Sequence, residues 1–195
     1  MQKPNNYDNT QAYGEFTPLE LGGHILVIKK VEETKSQAGR DMIKIFLDTA
    51  QEDRQPGYYQ KQFADDIRPE KKWGCIVYQL VLDNDGNTNR GLKTFHTCVE
   101  KSNAGFEVKW GDKYADCFTG KKIGGVFGKE EYLNARNEKK NAIKCFFFRS
   151  VDTIKEGVDI PDPRLLPEPQ QQSAPYSPDG FMNIADGVDS ELPFD

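Results

Sequence analysis

Asp41-Met-Ile-Lys-Ile-Phe-Leu-Asp48 alternates without a break. On an extended chain, successive side chains point to opposite faces, so Ile43, Ile45 and Leu47 share one face and Met42, Lys44, Phe46 and Asp48 the other. The first face requires a core beneath it. The second carries a lysine and an aromatic ring two residues apart, which is not the composition of a simple solvent face. Upstream, Gly22-Gly-His-Ile-Leu-Val-Ile-Lys-Lys-Val31 is apolar on both faces, as a central strand is. The intervening Thr34-Lys-Ser-Gln-Ala-Gly-Arg40 reads as a turn-rich loop.

Downstream, extended structure is expected over Tyr58-Tyr-Gln-Lys-Gln-Phe63 and again over Trp73-Gly-Cys-Ile-Val-Tyr-Gln-Leu-Val-Leu82. Asp83-Asn-Asp-Gly-Asn87 is a turn. Counted as a calcium loop it places Thr88 where the EF-hand needs glycine and Thr94 where it needs glutamate. From Gly91 to Asn103, Leu92, Phe95 and Val99 recur at helical spacing with Cys98 beside them, and Ser102-Asn-Ala-Gly105 supplies a stop. Lys122-Ile-Gly-Gly-Val-Phe-Gly128 and Ala142-Ile-Lys-Cys-Phe-Phe-Phe-Arg149 are two further strands, joined by the basic loop Asn134–Asn141. Three strands, a helix and two strands is the order of the OB-fold, a mainly β, five-stranded Greek-key barrel with one helix between strands 3 and 4. The Trp73–Leu82 segment would extend the third strand or pair with it.

Composition divides the 195 residues into an N-terminal arm over 1–21, the barrel over 22–165 and an acidic tail over 166–195. From residue 161 onward the chain holds most of the eleven prolines and a glutamine run, too little apolar matter to offset the entropy of ordering, so disorder is expected there. The formal net charge of −5 is also unevenly spread. The first 150 residues carry a slight excess of Lys and Arg, and the acidity lies in the last 45. The whole-chain sign therefore does not exclude a nucleic-acid partner for the globular part.

Four cysteines stand far apart in sequence, without the close pairs that zinc sites use, and His96 and Cys98, two apart on a helix, point away from each other. No metal or cofactor is expected, and the cysteines read as reduced core residues of a cytoplasmic protein. No stretch has the apolar character of a secretory leader or a membrane span. Neither histidine sits in a catalytic motif, Gly120-Lys-Lys-Ile-Gly-Gly125 lacks the phosphate-loop spacing, and Asp65-Asp66 and Glu52-Asp53 lie in polar stretches. The chain reads as a binding protein, not an enzyme.

Single-stranded nucleic acid is held by cations along its phosphates and by flat rings under its bases, each stack worth about 1–3 kcal/mol. The candidate rings are Phe46 and Tyr59, with Trp73 and Tyr78 next. The candidate cations are Lys44 and Lys61 on strands, Lys35 and Arg40 in the first loop, and Arg136, Lys139 and Lys140 in the last, the two loops with which OB-folds grip oligonucleotides. Each ring taken singly also fits a barrel core, and each loop lysine a solvated surface. Lys44 and Phe46 together, opposite three core residues, favour the binding reading.

Val99-Glu-Lys-Ser-Asn-Ala-Gly-Phe106, a helix end followed by a small residue, glycine and an aromatic, resembles a phage-encoded family of single-stranded DNA-binding (SSB-like) proteins. Lys122-Ile-Gly-Gly-Val-Phe-Gly-Lys-Glu-Glu-Tyr132 and Ser150-Val-Asp-Thr-Ile-Lys-Glu-Gly157 resemble the strand and the exit that follow in that family. The resemblance implies an OB-fold, sequence-independent binding of single-stranded DNA, and a place in phage replication or recombination. The end of the chain, Asp189-Ser-Glu-Leu-Pro-Phe194-Asp195, resembles the acidic tip of bacterial SSB proteins. That likeness implies recruitment of replication and recombination proteins through Asp189, Glu191, Leu192, Pro193, Phe194 and Asp195. In that family phenylalanine is the last residue, whereas here Asp195 follows it. The other readings are a solubilising tail, and an accessory adaptor that binds proteins only.

Overall fold

The computed structural model describes residues 2–5, 7 and 17–167. Five strands form one antiparallel sheet: β1 (Gly22–Lys35), β2 (Asp41–Thr49), β3 (Ile76–Leu80), β4 (Lys122–Leu133) and β5 (Lys139–Arg149). Their lateral order is β3-β2-β1-β4-β5, and the ladder is open between β3 and β5. Three α-helices accompany them among the described residues: α1 (Tyr58–Asp65), α2 (Arg90–Ser102) and α3 (Val151–Glu156). No described helix is long and apolar enough to cross a membrane.

The alternation of β2 is realised as read: Ile43, Ile45 and Leu47 are fully buried. They meet Leu26, Ile28 and Val31 of β1, and α2 closes the core with Leu92, Phe95, Cys98 and Val99. Asn89 caps α2 by accepting from the Gly91 N–H at 2.8 Å, and its carbonyl also receives the Gln79 amide. The helix end is pinned with equal economy. The Asn103 amide donates to the carbonyls of Val99 and Lys122 at 2.7 and 2.8 Å and accepts the Lys122 N–H. Ser102 Oγ donates to Cys98 O and accepts the Val151 N–H. The Ser102-Asn103 motif is therefore a clamp joining α2 to β4 and α3.

The segment Tyr58–Phe63, expected as a strand, is the helix α1 instead. Its start is organised from a distance, because the Asp48 carboxylate at the end of β2 accepts the N–H groups of Thr49 and Tyr59 at 2.9 Å and Gln60 at 3.4 Å. Gly57 takes φ 62°, which redirects the chain into the first turn. The third strand is accordingly the later segment alone, shortened to Ile76–Leu80. The first loop shrinks to a tight turn after Lys35, and β4 and β5 run on into the basic loop, so that Lys139 and Lys140 are strand residues.

Residues 157–167, in part expected to be disordered, form a strap instead. Arg164 N donates to Lys129 O and Arg164 O accepts from Glu131 N, adding a short parallel bridge to the part of β4 that β1 leaves unpaired. Side chains fix it further: Glu131 accepts the Leu166 N–H at 3.2 Å, Glu130 faces Arg164 at 3.8 Å, and the Arg164 guanidinium lies 3.8 Å from the Phe146 ring centroid. A Cβ at Gly23 would fall 2.7 Å from Val158, and one on Gly124 or Gly128 would strike Ile154 or Phe146. These glycines permit α3 and the strap to lie against one half of the sheet's outer face. The other half stays open.

Candidate nucleic-acid interface

The open half belongs to β1, β2 and β3, and the strand register arranges it as three rows. Lys30, Phe46 and Ile76 lie opposite one another, then Glu32, Lys44 and Tyr78, then Thr34, Met42 and Leu80. Lys30 joins this face through a β-bulge between Ile28 and Lys30 that shifts the phase of β1. Without the bulge, the buried Ile28 and Lys30 would share a face. Of the expected site residues, the structure brings together Lys44, Phe46 and Tyr78. Lys44 Nζ stands 4.8 Å from the centroid of the Phe46 ring, and Tyr78 is 57% exposed.

Charge on this face is arranged around one carboxylate. Glu32 lies 2.7 Å from Lys30 Nζ and 3.7 Å from Lys44 Nζ. The hydrogen bond from Lys30, with the fields of both ammonium groups, holds its carboxyl below the ordinary 4.5. Both pairs lie at the surface where solvent screens them, so both lysines can exchange partners at small cost.

The remaining candidates go elsewhere. Tyr59, expected as a stacking platform, is 5% exposed and stacks on Phe127 in the core; burial pushes its phenol far above the ordinary value. Lys61, expected on a strand, projects from the exposed side of α1. Trp73 is half-buried, with its indole N–H donating to Leu47 O at 2.7 Å and its ring tilted against Phe63. Arg40 is fastened to the turn after β3, donating to Asn84 Oδ1 at 3.0 Å and Leu82 O at 2.8 Å. Lys35 pairs with Asp41 at 2.6 Å. Arg136 lies exposed at the tip of the β4–β5 hairpin; below it Lys139 faces Glu131 at 3.8 Å and Lys140 faces Glu138 at 3.3 Å. Residues 189–195, with the whole expected partner-binding tip, lie outside the described residues.

Two features escaped the sequence reading. One is the pair Lys30 and Glu32, hidden by the bulge. The other is a cleft of about 510 Å³ between the far end of the β1–β2 hairpin and the loop before β4. Trp110, 70% exposed, stands on its rim, stacked on Tyr114 at 5.4 Å and 17°. Tyr114 is held in turn by a 2.8 Å hydrogen bond between its hydroxyl and His96 Nε2. Glu33, Asp41 and Asp112 share the lining with Lys35, so this cleft repels phosphate overall.

Among the described residues no cluster of histidine, cysteine or carboxylate groups has the geometry of a metal site. The four cysteines are free thiols; burial pushes that of Cys75 up to about 12 and raises Cys98 as well, leaving both unreactive. No protein-family model matches this chain, and no curated protein matches it.

Proposed function

We propose that this protein binds single-stranded DNA without regard to sequence, coating and protecting it during phage replication or recombination. The observation that carries the reading is the open three-strand face on which Lys44, Phe46 and Tyr78 lie side by side. Cations there would follow the phosphates, and the rings would stack under bases of any identity. The strand order β3-β2-β1-β4-β5 with a helix between β3 and β4 supports an OB-type Greek-key barrel, which needs the two end strands to curl toward each other. Cys75, just before β3, and Cys145 of β5 contribute to one apolar cluster, as such curling requires.

The acidic tip, by its likeness to that of bacterial SSB proteins, would recruit replication and recombination proteins to the coated strand. The cleft beside Trp110 favours a second reading, an adaptor that binds proteins alone, since an exposed indole ringed by carboxylates suits a basic peptide better than a nucleic acid.

Fluorescence-anisotropy titration with labelled oligo-dT and with a duplex of equal length, at two salt concentrations, separates the two. Single-strand binding that weakens steeply with salt and exceeds duplex binding supports the first reading. Equal affinity for both forms, or none for either, rejects it.

A further inference from the structure

Glu32 is the one acidic side chain in the three rows of the open face, and it sits where an anion has most to gain. Its Oε1 lies 2.7 Å from Lys30 and its Oε2 3.7 Å from Lys44, so one carboxylate bridges two ammonium groups on neighbouring strands. A phosphodiester also presents two oxygens that share one negative charge. The register puts Tyr78 next to Lys44 in the same row and Phe46 next to Lys30 in the row beside it. A phosphate bridging the two lysines would therefore have a ring beside each of them.

We infer that Glu32 is a built-in competitor for strand phosphate, occupying in the free protein the place that a phosphate takes when single-stranded DNA binds. The inference rests on the single-strand reading and adds to it the residue that sets affinity and salt response. Two consequences follow from the geometry. Binding at this spot exchanges one anion for another, so the gain is reduced and release is eased. Part of the cationic charge is also already compensated from within the protein, which lowers the number of ions released and flattens the dependence on salt. Glu33, the next residue, provides an internal control, because it lines the cleft beside Trp110 and not the open face.

Competition and mere positioning of the lysines predict opposite signs. If Glu32 competes, Glu32→Gln frees Lys30 and Lys44 for phosphate. If its service is to hold those side chains in place, the same change loosens them and weakens binding. The test is anisotropy titration of labelled oligo-dT with the full-length protein, Glu32→Gln and Glu33→Gln, over a series of salt concentrations. The expected result is that Glu32→Gln binds several-fold more tightly at low salt and that its log affinity falls more steeply with log salt, by about one. Glu33→Gln should match the unaltered protein, and Lys30→Ala should weaken binding. Unchanged or weaker binding by Glu32→Gln, with the unaltered protein binding normally, would overturn the inference and leave the single-strand reading intact. Failure of the unaltered protein to bind oligo-dT at any salt would instead remove the single-strand reading, and this inference with it.

Discussion

His24 Nδ1 lies 2.9 Å from Asp53 Oδ1, and both side chains are buried. The same carboxylate accepts the N–H groups of Ile25 at 2.7 Å and Gln55 at 2.9 Å, so it ties the start of β1 to the loop that leads into α1. Burial works to raise the Asp53 carboxyl, but the His24 hydrogen bond and those two N–H groups outweigh it and hold the carboxyl below its ordinary 3.8. A carboxyl depressed in the folded state binds protons more readily in the unfolded chain. Its contribution is therefore complete above the unfolded value and lost as pH falls through the folded one. We expect stability to fall below about pH 4, and Asp53→Asn to flatten that part of the curve. Asp53→Ala, which strands the buried donors of His24 and Ile25 and the half-buried N–H of Gln55, should cost about 1–3 kcal/mol for each buried donor left unpaired. Denaturant unfolding across a pH series measures both.

The rings on the open face should separate from those in the core. Phe46→Ala and Tyr78→Ala should each weaken oligo-dT binding by about 1–3 kcal/mol with little loss of stability. Tyr59→Ala should instead cost about 3–5 kcal/mol of folding stability and affect binding only through the fold. Thermal melts run beside the anisotropy titrations assign each ring.

Arg136, Lys139 and Lys140 gather at the β4–β5 hairpin, with the two lysines facing carboxylates. Replacing all three with alanine should weaken binding to every sequence alike and flatten its salt dependence. An unchanged slope would place this hairpin off the path of the strand.

Gly124 lets Ile154 of α3 approach the β4 backbone. Gly124→Val should force that helix away, lower stability by about 1–3 kcal/mol, and speed amide exchange through residues 157–166. Protection of those amides equal to the unaltered protein would show that the strap does not depend on the contact.

Removal of residues 168–195 should leave oligo-dT binding equal or slightly tighter, since the deleted segment is acidic and lacks lysine and arginine. Pull-downs from phage-infected cells should lose replication or recombination proteins with the truncation and with Phe194→Ala. Retention of the same proteins by Phe194→Ala would reduce the tip to a solubilising segment.

Strict alternation made β2 legible, and the helical stripe Leu92, Phe95, Val99 did the same for α2. The helix α1 was not, because its cap comes from Asp48, ten residues before the helix begins and across a turn, while Gly57 offers no side chain of its own. Two adjacent tyrosines and a phenylalanine in a short polar run fit a strand as well as a helix until that carboxylate is in place. Lys44, Phe46 and Tyr78 could be found because they obey a period of two. Lys30 and Glu32 could not, because a one-residue bulge changes the phase midway along β1 and nothing local in the sequence marks it. The motifs that carry the family resemblance proved to be fasteners: Ser102 and Asn103 lock α2 to its neighbours, and Glu130 and Glu131 hold the strap.

Asp48 has the same strand parity as Lys44 and Phe46, yet α1 covers it. The helix thus walls off one end of the open face, the end beyond Phe46. Three strands about 4.8 Å apart and five residues of about 3.3 Å each leave a patch of about 10 by 13 Å. A patch of that size has room for only a few nucleotides, at the lower end of the roughly 4–16 spanned by single OB domains. Covering a long strand would then be a matter of copy number: many molecules, each with a short footprint, laid side by side.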